Sequence, residues 1–171
     1  MSLLSRLFGS KTHDREPMRP LWHRVVEVAR EKEWYAQCGI ADTVAGRFDG
    51  ITLVMAAVLL RMKREPALIE PSVRLTELFV DDMDGQLRNS GVGDLSVGKH
   101  IGKLMGVLGG RLGALREAIA QGESALAEFT QRNATLAEHG DSAKVAQRLM
   151  GLIARLDATC AEDLLAARIA P

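Results

Sequence analysis

Apolar side chains recur every three or four positions along most of this chain, the period of helices that each cover one face. Leu21, Trp22, Val25, Val28 and Ala29 form a first stripe leading toward Tyr35, with Pro20 suited to the first helical turn and Gly39 to the end. A short turn or helix is predicted from Asp42. Asp49-Gly50 reads as a break before an apolar helix over residues 51–64. Pro66 and Pro71 punctuate the next connection. Leu75, Leu78, Phe79, Met83 and Leu87 then mark the inward face of a helix closed by Gly91 and Gly93. Ile101, Leu104, Met105, Leu108, Leu112 and Leu115 line one side of a helix from about Ser96 to Gln121, and a weaker helix is predicted over about 123–139. Val145, Leu149, Leu152, Ile153, Leu156, Cys160 and Leu164 place core positions on a last helix from about Ser142. No segment alternates with the period of a strand. The pattern predicts an all-α fold, a single-domain bundle of six or seven helices over residues 20–171, preceded by a mobile arm at 1–19.

Composition agrees with helices. The chain has 171 residues, 47% of them hydrophobic, and Leu and Ala dominate over β-branched and aromatic types. Such unbranched side chains lose little rotamer freedom in a helix. The 22 basic and 22 acidic residues cancel, so no global field draws the chain to nucleic acid, and no specific DNA partner is expected. Cys38 and Cys160 lie far apart in sequence and form no metal-type pair, which suits a reducing compartment. The longest apolar run, Ile51 to Leu60, is too short to span a bilayer. Ser5 and Arg6 interrupt the opening MSLLSRLFG, which therefore lacks the form of a secretory signal. Leu3, Leu4, Leu7 and Phe8 share one helical face, but the gain from burying them is close to the cost of ordering the tip. The tip is at most a weak, reversible membrane contact. A cytoplasmic location is expected, extending to the inner face of the cytoplasmic membrane.

Three features resemble chemistry. Gly93-Asp-Leu-Ser-Val-Gly98-Lys99-His100 approaches a phosphate-binding loop, but His100 stands where a magnesium-binding hydroxyl is needed, and the preceding residues have helical period rather than that of a strand. Asp81-Asp82-Met83-Asp84 resembles the aspartate clusters that hold magnesium in diphosphate chemistry. Those sites need a second, facing cluster, and none is evident. Glu77, Asp81, Asp84 and Arg88 fall on one helical line. Asp84–Arg88 is favourable, whereas Glu77–Asp81 repels by about 0.2–0.5 kcal/mol, so a nearby cation is expected. The third feature supplies a candidate. Lys99, Lys103 and Arg111 recur along a stretch with no acidic residue between Leu95 and Arg116, and the same helix carries Gly102, Gly106, Gly109, Gly110 and Gly113. Each interior glycine costs roughly 0.8–1 kcal/mol against alanine. Two readings fit: close packing on another helix of the same domain, or a groove for a partner's helix. No G-x-S-x-G, H-E-x-x-H or C-x-x-C pattern occurs, and His13, His23, His100 and His139 lie on separate elements. No catalytic residue, metal ligand or cofactor is therefore assigned.

The run LTELFVDDMDGQLRNSGVGDLSVGKHIGK, with Trp34-Tyr35 and the apolar stretch to Leu60-Arg61 ahead of it, resembles the ubiquinol–cytochrome c chaperone family over roughly Pro20 to Leu115. The matching positions are Asp81, Asp82, Met83, Asp84, Leu87, Arg88, Gly91, Val92, Gly93, Asp94, Val97, Gly98 and Lys99. Where that family continues into an aromatic-Gly-Arg segment, this chain reads Val107-Leu108-Gly109-Gly110-Arg111 and lacks the aromatic. Beyond about Gly122 little is recognised. The resemblance implies a non-enzymatic bacterial chaperone for the respiratory bc complex, binding newly made cytochrome b or another subunit until haem and partner subunits are added. Mitochondrial relatives also work at the ribosome with a small helper protein. The expected recognition surface pairs a wall of Asp81, Asp82, Asp84 and Arg88 with a wall of Lys99, Lys103, Gly106 and Arg111, across the Gly91, Gly93, Asp94 and Gly98 turn. A metal-dependent enzyme of isoprenoid or diphosphate chemistry using Asp81, Asp82 and Asp84 is the rival reading, and a generic helical scaffold a third.

Overall fold

The computed structural model describes residues 15–89 and 97–169, with side chains at 15–86 and 102–169. Among them six longer helices and two short ones form an all-α bundle: α1 (Arg19–Ala29), α2 (Lys32–Ala36), α3 (Val44–Met62), α4 (Ile69–Asn89), α5 (Val97–Gln121), α6 (Glu123–Asn133), α7 (Ser142–Ala158) and α8 (Ala161–Leu165). Single turns of 3-10 helix at Glu16–Met18 and Pro66–Leu68 precede α1 and α4. No strand occurs among the described residues; Ile40 and Leu136 form one isolated antiparallel bridge.

Helix α3 is the axis of the core. Leu53, Val54, Met55, Ala56 and Val58 are buried on every side of it, as expected of a helix that is apolar all round. α1, α5 and α7 pack around it, each bringing one stripe: Leu21, Val25 and Val28 from α1, Leu108, Leu112 and Leu115 from α5, Leu149, Leu152 and Leu156 from α7. α4 closes the bundle against α1, where Trp22 and Phe79 meet edge to face with ring centroids 6.0 Å apart.

The expected first helix is two. The chain turns at Arg30 and Glu31, and the next short helix folds back so that Trp34 Nε1 donates to the Val28 carbonyl at 2.9 Å and the Tyr35 hydroxyl to that of Ala29 at 2.8 Å. Aromatic side chains thus bond the last carbonyls of α1, Val28 O also accepting from the Glu31 amide at 3.3 Å. The break expected at Asp49-Gly50 is absent, since α3 starts at Val44, capped by the Thr43 hydroxyl, and runs through both residues. Gly50 fits because a Cβ there would stand 3.2 Å from the Tyr35 hydroxyl. The last helix, expected to continue past Cys160, stops at Ala158. Thr159 is extended, and Cys160 is exposed and caps α8 through its sulfur. Met105, placed on the inner side by spacing, is 43% exposed.

Gly39 and Gly140 meet where the α2–α3 and α6–α7 connections cross. Gly39 has φ +78°, and a Cβ on it would lie 2.4 Å from Gly140 Cα, so only glycine fits both the backbone and the contact. Ala41 N–H donates to Thr135 O and Ala137 N–H to Gly39 O, each at 2.8 Å, pinning the crossing. Beside it, the buried Cys38 thiol faces Lys144 O at 3.6 Å. Burial pushes that thiol up from its ordinary value, against the opposing pull of Arg148 and Lys144. Native protein treated with a thiol-reactive probe at neutral pH is therefore expected to label Cys160 promptly and Cys38 only on unfolding. Peptide mapping of the labelled chain checks this, and equal labelling rates would refute it.

Candidate partner-binding surface

About three helical turns of α4 carry the acidic line from Glu77 to Arg88. The cation it needs comes from the chain's own approach to α1, because Arg15 pairs with both Glu77 (3.8 Å) and Asp81. That bridge turns the Glu77–Asp81 repulsion into a three-residue ion pair. Glu77 and Asp81 remain 53% and 60% exposed, so its worth to stability is small. Asp81 and Asp82 open onto a groove of about 590 Å³ between α4 and α1, floored by Trp22 and Leu78 and bordered by His23 and Arg30. Asp84 is half-buried. The acidic wall therefore borders α1 rather than α5 at these two residues.

The basic side also differs from expectation. Lys103 is exposed, whereas Arg111 turns inward. Its guanidinium donates to Asp49 Oδ1 at 2.5 Å and to the Thr52 hydroxyl, and lies 5.9 Å from the Phe48 ring centre. Asp49 Oδ2 accepts from the Thr135 amide (2.8 Å) and hydroxyl (2.7 Å). The two charged side chains are only 12% and 10% exposed. Arg111 thus clamps α5 to α3 and to the segment after α6, and its charge is spent there. Sequence reasoning missed Asp49. The available signal was an acid one turn before Thr52 at the mouth of an apolar run, which has the spacing of a single helix.

The glycine side of α5 is open. Gly102, Gly106, Gly109 and Gly110 are exposed, and a Cβ built on any of them, or on Gly113, meets nothing within 4 Å among the described residues. None of the described helices packs closely on these glycines. Leu104, Leu108, Leu112 and Leu115 hold the opposite side in the core. Gly91, Gly93 and Asp94 lie outside the described residues, as do the side chains of Arg88 and Lys99 and the surroundings of Gly98; Leu3, Leu4, Leu7 and Phe8 lie outside them too. The segment ahead of the phosphate-loop-like run is helix α4, not a strand, so that reading lacks its scaffold. Among the described residues no three His, Cys, Asp or Glu side chains converge as metal ligands. Asp81 is engaged by Arg15.

Comparison with known proteins places this architecture. The family model described as ubiquinol-cytochrome C chaperone matches residues 36–170, reaching through the tail that sequence reading left unrecognised. The crystal structure of a Cbp3 homologue from Brucella abortus is similar over 98% of this chain and 95% of that one, with 31% sequence identity and a TM-score of 0.80. No curated protein matches the sequence. A match across most of the chain, joined to a shared fold at that identity, establishes kinship: the chain belongs to the ubiquinol–cytochrome C chaperone family.

Proposed function

We propose that this protein is a non-enzymatic assembly chaperone for the ubiquinol–cytochrome c reductase (bc) complex, binding newly made cytochrome b at the surface built from α4 and α5. The observation that carries the reading is the glycine side of the 25-residue α5, which no other described residue covers, while the opposite side is held in the core. A client that spans membranes presents apolar helices, and exposed glycine backbone admits such helices at close range. Further candidate contacts are Asp81 and Asp82, which open onto the groove between α4 and α1, with Asp84 and Arg88, and, from the family resemblance, Gly91, Gly93, Asp94, Gly98, Lys99 and Lys103. No described helix is long and apolar enough to cross a membrane. On this reading the chaperone meets its client at the membrane's inner face, where the client is inserted.

Deleting the gene is expected to lower assembled cytochrome b while leaving its message unchanged; normal assembled levels would overturn the proposal. A point test follows from the open glycine side. Gly106→Leu meets no steric barrier and improves helix propensity, so its melting temperature should hold or rise slightly. Capture of cytochrome b by that variant should drop at least about tenfold, the cost of roughly 1.4 kcal/mol at the contact. Undiminished capture by a folded Gly106→Leu protein would remove α5 from the binding surface.

A further inference from the structure

Helix α5 is weaker than its surroundings require. Gly102, Gly106, Gly109 and Gly113 lie on one stripe where a methyl group would touch nothing among the described residues, which leave room for alanine at each position. Alanine favours the helical state about four- to fivefold over glycine at such a site. The anchors are also unevenly placed. Between Gly102 and Gly110 only Leu104 and Leu108 enter the core, and the single polar side chain, Lys103, is exposed. From Arg111 onward the helix holds the buried ion pair with Asp49, the bond to Thr52, and buried Leu112, Leu115 and Ala118.

We infer that Gly102–Gly110 is a flap that opens independently of the rest of α5, with the Arg111–Asp49 ion pair as its fixed end. Local opening of this kind draws on segments with few buried contacts. Opening lifts Leu104 and Leu108 away from the core and uncovers apolar surface, which, if the client reading above holds, is the surface an apolar helix would take.

Hydrogen exchange on the purified full-length chain, with no client present, tests the flap separately from the chaperone reading. After correction for intrinsic rates, amides of 102–110 should exchange at least about tenfold faster than those of 112–118. In the triple variant Gly102→Ala, Gly106→Ala, Gly109→Ala, exchange at 102–110 should slow by on the order of a hundredfold. Uniform exchange along α5 in the unaltered protein would overturn the inference without recourse to any variant. So would a triple variant that folds and exchanges at the original rate, or one that fails to fold because the glycine side is covered.

Discussion

Replacing Arg111 with Leu is expected to lower folding stability by about 3–5 kcal/mol, because it strands the Asp49 carboxylate in the core. Asp49 is 7% exposed, and its other partners, the amide and hydroxyl of Thr135, are neutral donors that do not balance a charge. The loss corresponds to a fall in melting temperature of about 6–20 °C for a chain of this size. Denaturant titration should show a lower midpoint with an unchanged slope, the mark of lost stability without a change in the surface exposed. The double variant Asp49→Leu, Arg111→Leu should be more stable than Arg111→Leu alone, since an apolar pair carries no desolvation debt. A single variant within about 1 kcal/mol of the parent would show that water reaches Asp49 and that the clamp on α5 is weak.

Arg61→Ala is expected to have a comparable effect through a different cause. Arg61 is 7% exposed although it lies on the most apolar helix. Its Nε donates to Leu156 O at 3.0 Å and its Nη2 to Thr159 O at 2.9 Å, with Glu65 as a further partner. Leu156 O also accepts from the Thr159 amide at 3.1 Å, whereas Thr159 O, just past the end of α7, takes its bond from Arg61. Truncation leaves that one buried acceptor unsatisfied at about 1–3 kcal/mol, thins the bonding of Leu156 O and removes a packed aliphatic stem. A total of about 2–4 kcal/mol is expected by denaturant titration, with hydrogen exchange quickening first at residues 152–165. Arg61→Lys should recover only part of it, since one ammonium does not match the spread of a guanidinium. Full stability of Arg61→Ala would mean that α7 ends where it does for reasons local to Thr159 and Cys160.

Both substitutions act on residues that position the candidate surface rather than compose it. Lost client capture in either variant would therefore accompany lost stability, whereas Gly106→Leu separates the two. That contrast lets contact residues be told from supports in one set of measurements.

Helical period alone was enough to place α1, α3, α4, α5 and α7 and to name most of their buried side chains, including Leu75, Phe79 and Met83 on α4 and Leu104 to Leu115 on α5. Burial periodicity is a property of neighbours three and four residues apart, so it is written locally in the chain. The motif at Phe79–Lys99 likewise pointed to the family that the match over residues 36–170 establishes. What remained hidden depends on partners far away in sequence. Asp49-Gly50 looked like a break because an isolated acid and a glycine disfavour a helix. Arg111, 62 positions on, and Thr135, 86 on, supply the bonds that make the acid an anchor. Arg61 meets the end of α7 across 95 residues of chain, just ahead of Cys160, which lies exposed rather than on the core stripe it seemed to continue. The open side of α5 was undecidable from spacing, since a glycine stripe suits a close neighbour and an empty space equally well. Only the placement of the other described helices shows that none of them covers it. Sequence, then, determined where most helices lie and which are apolar-faced. Tertiary contacts alone decided which charges are buried, where helices stop and which faces the other described helices cover, because those outcomes are set by groups that meet only once the chain has folded.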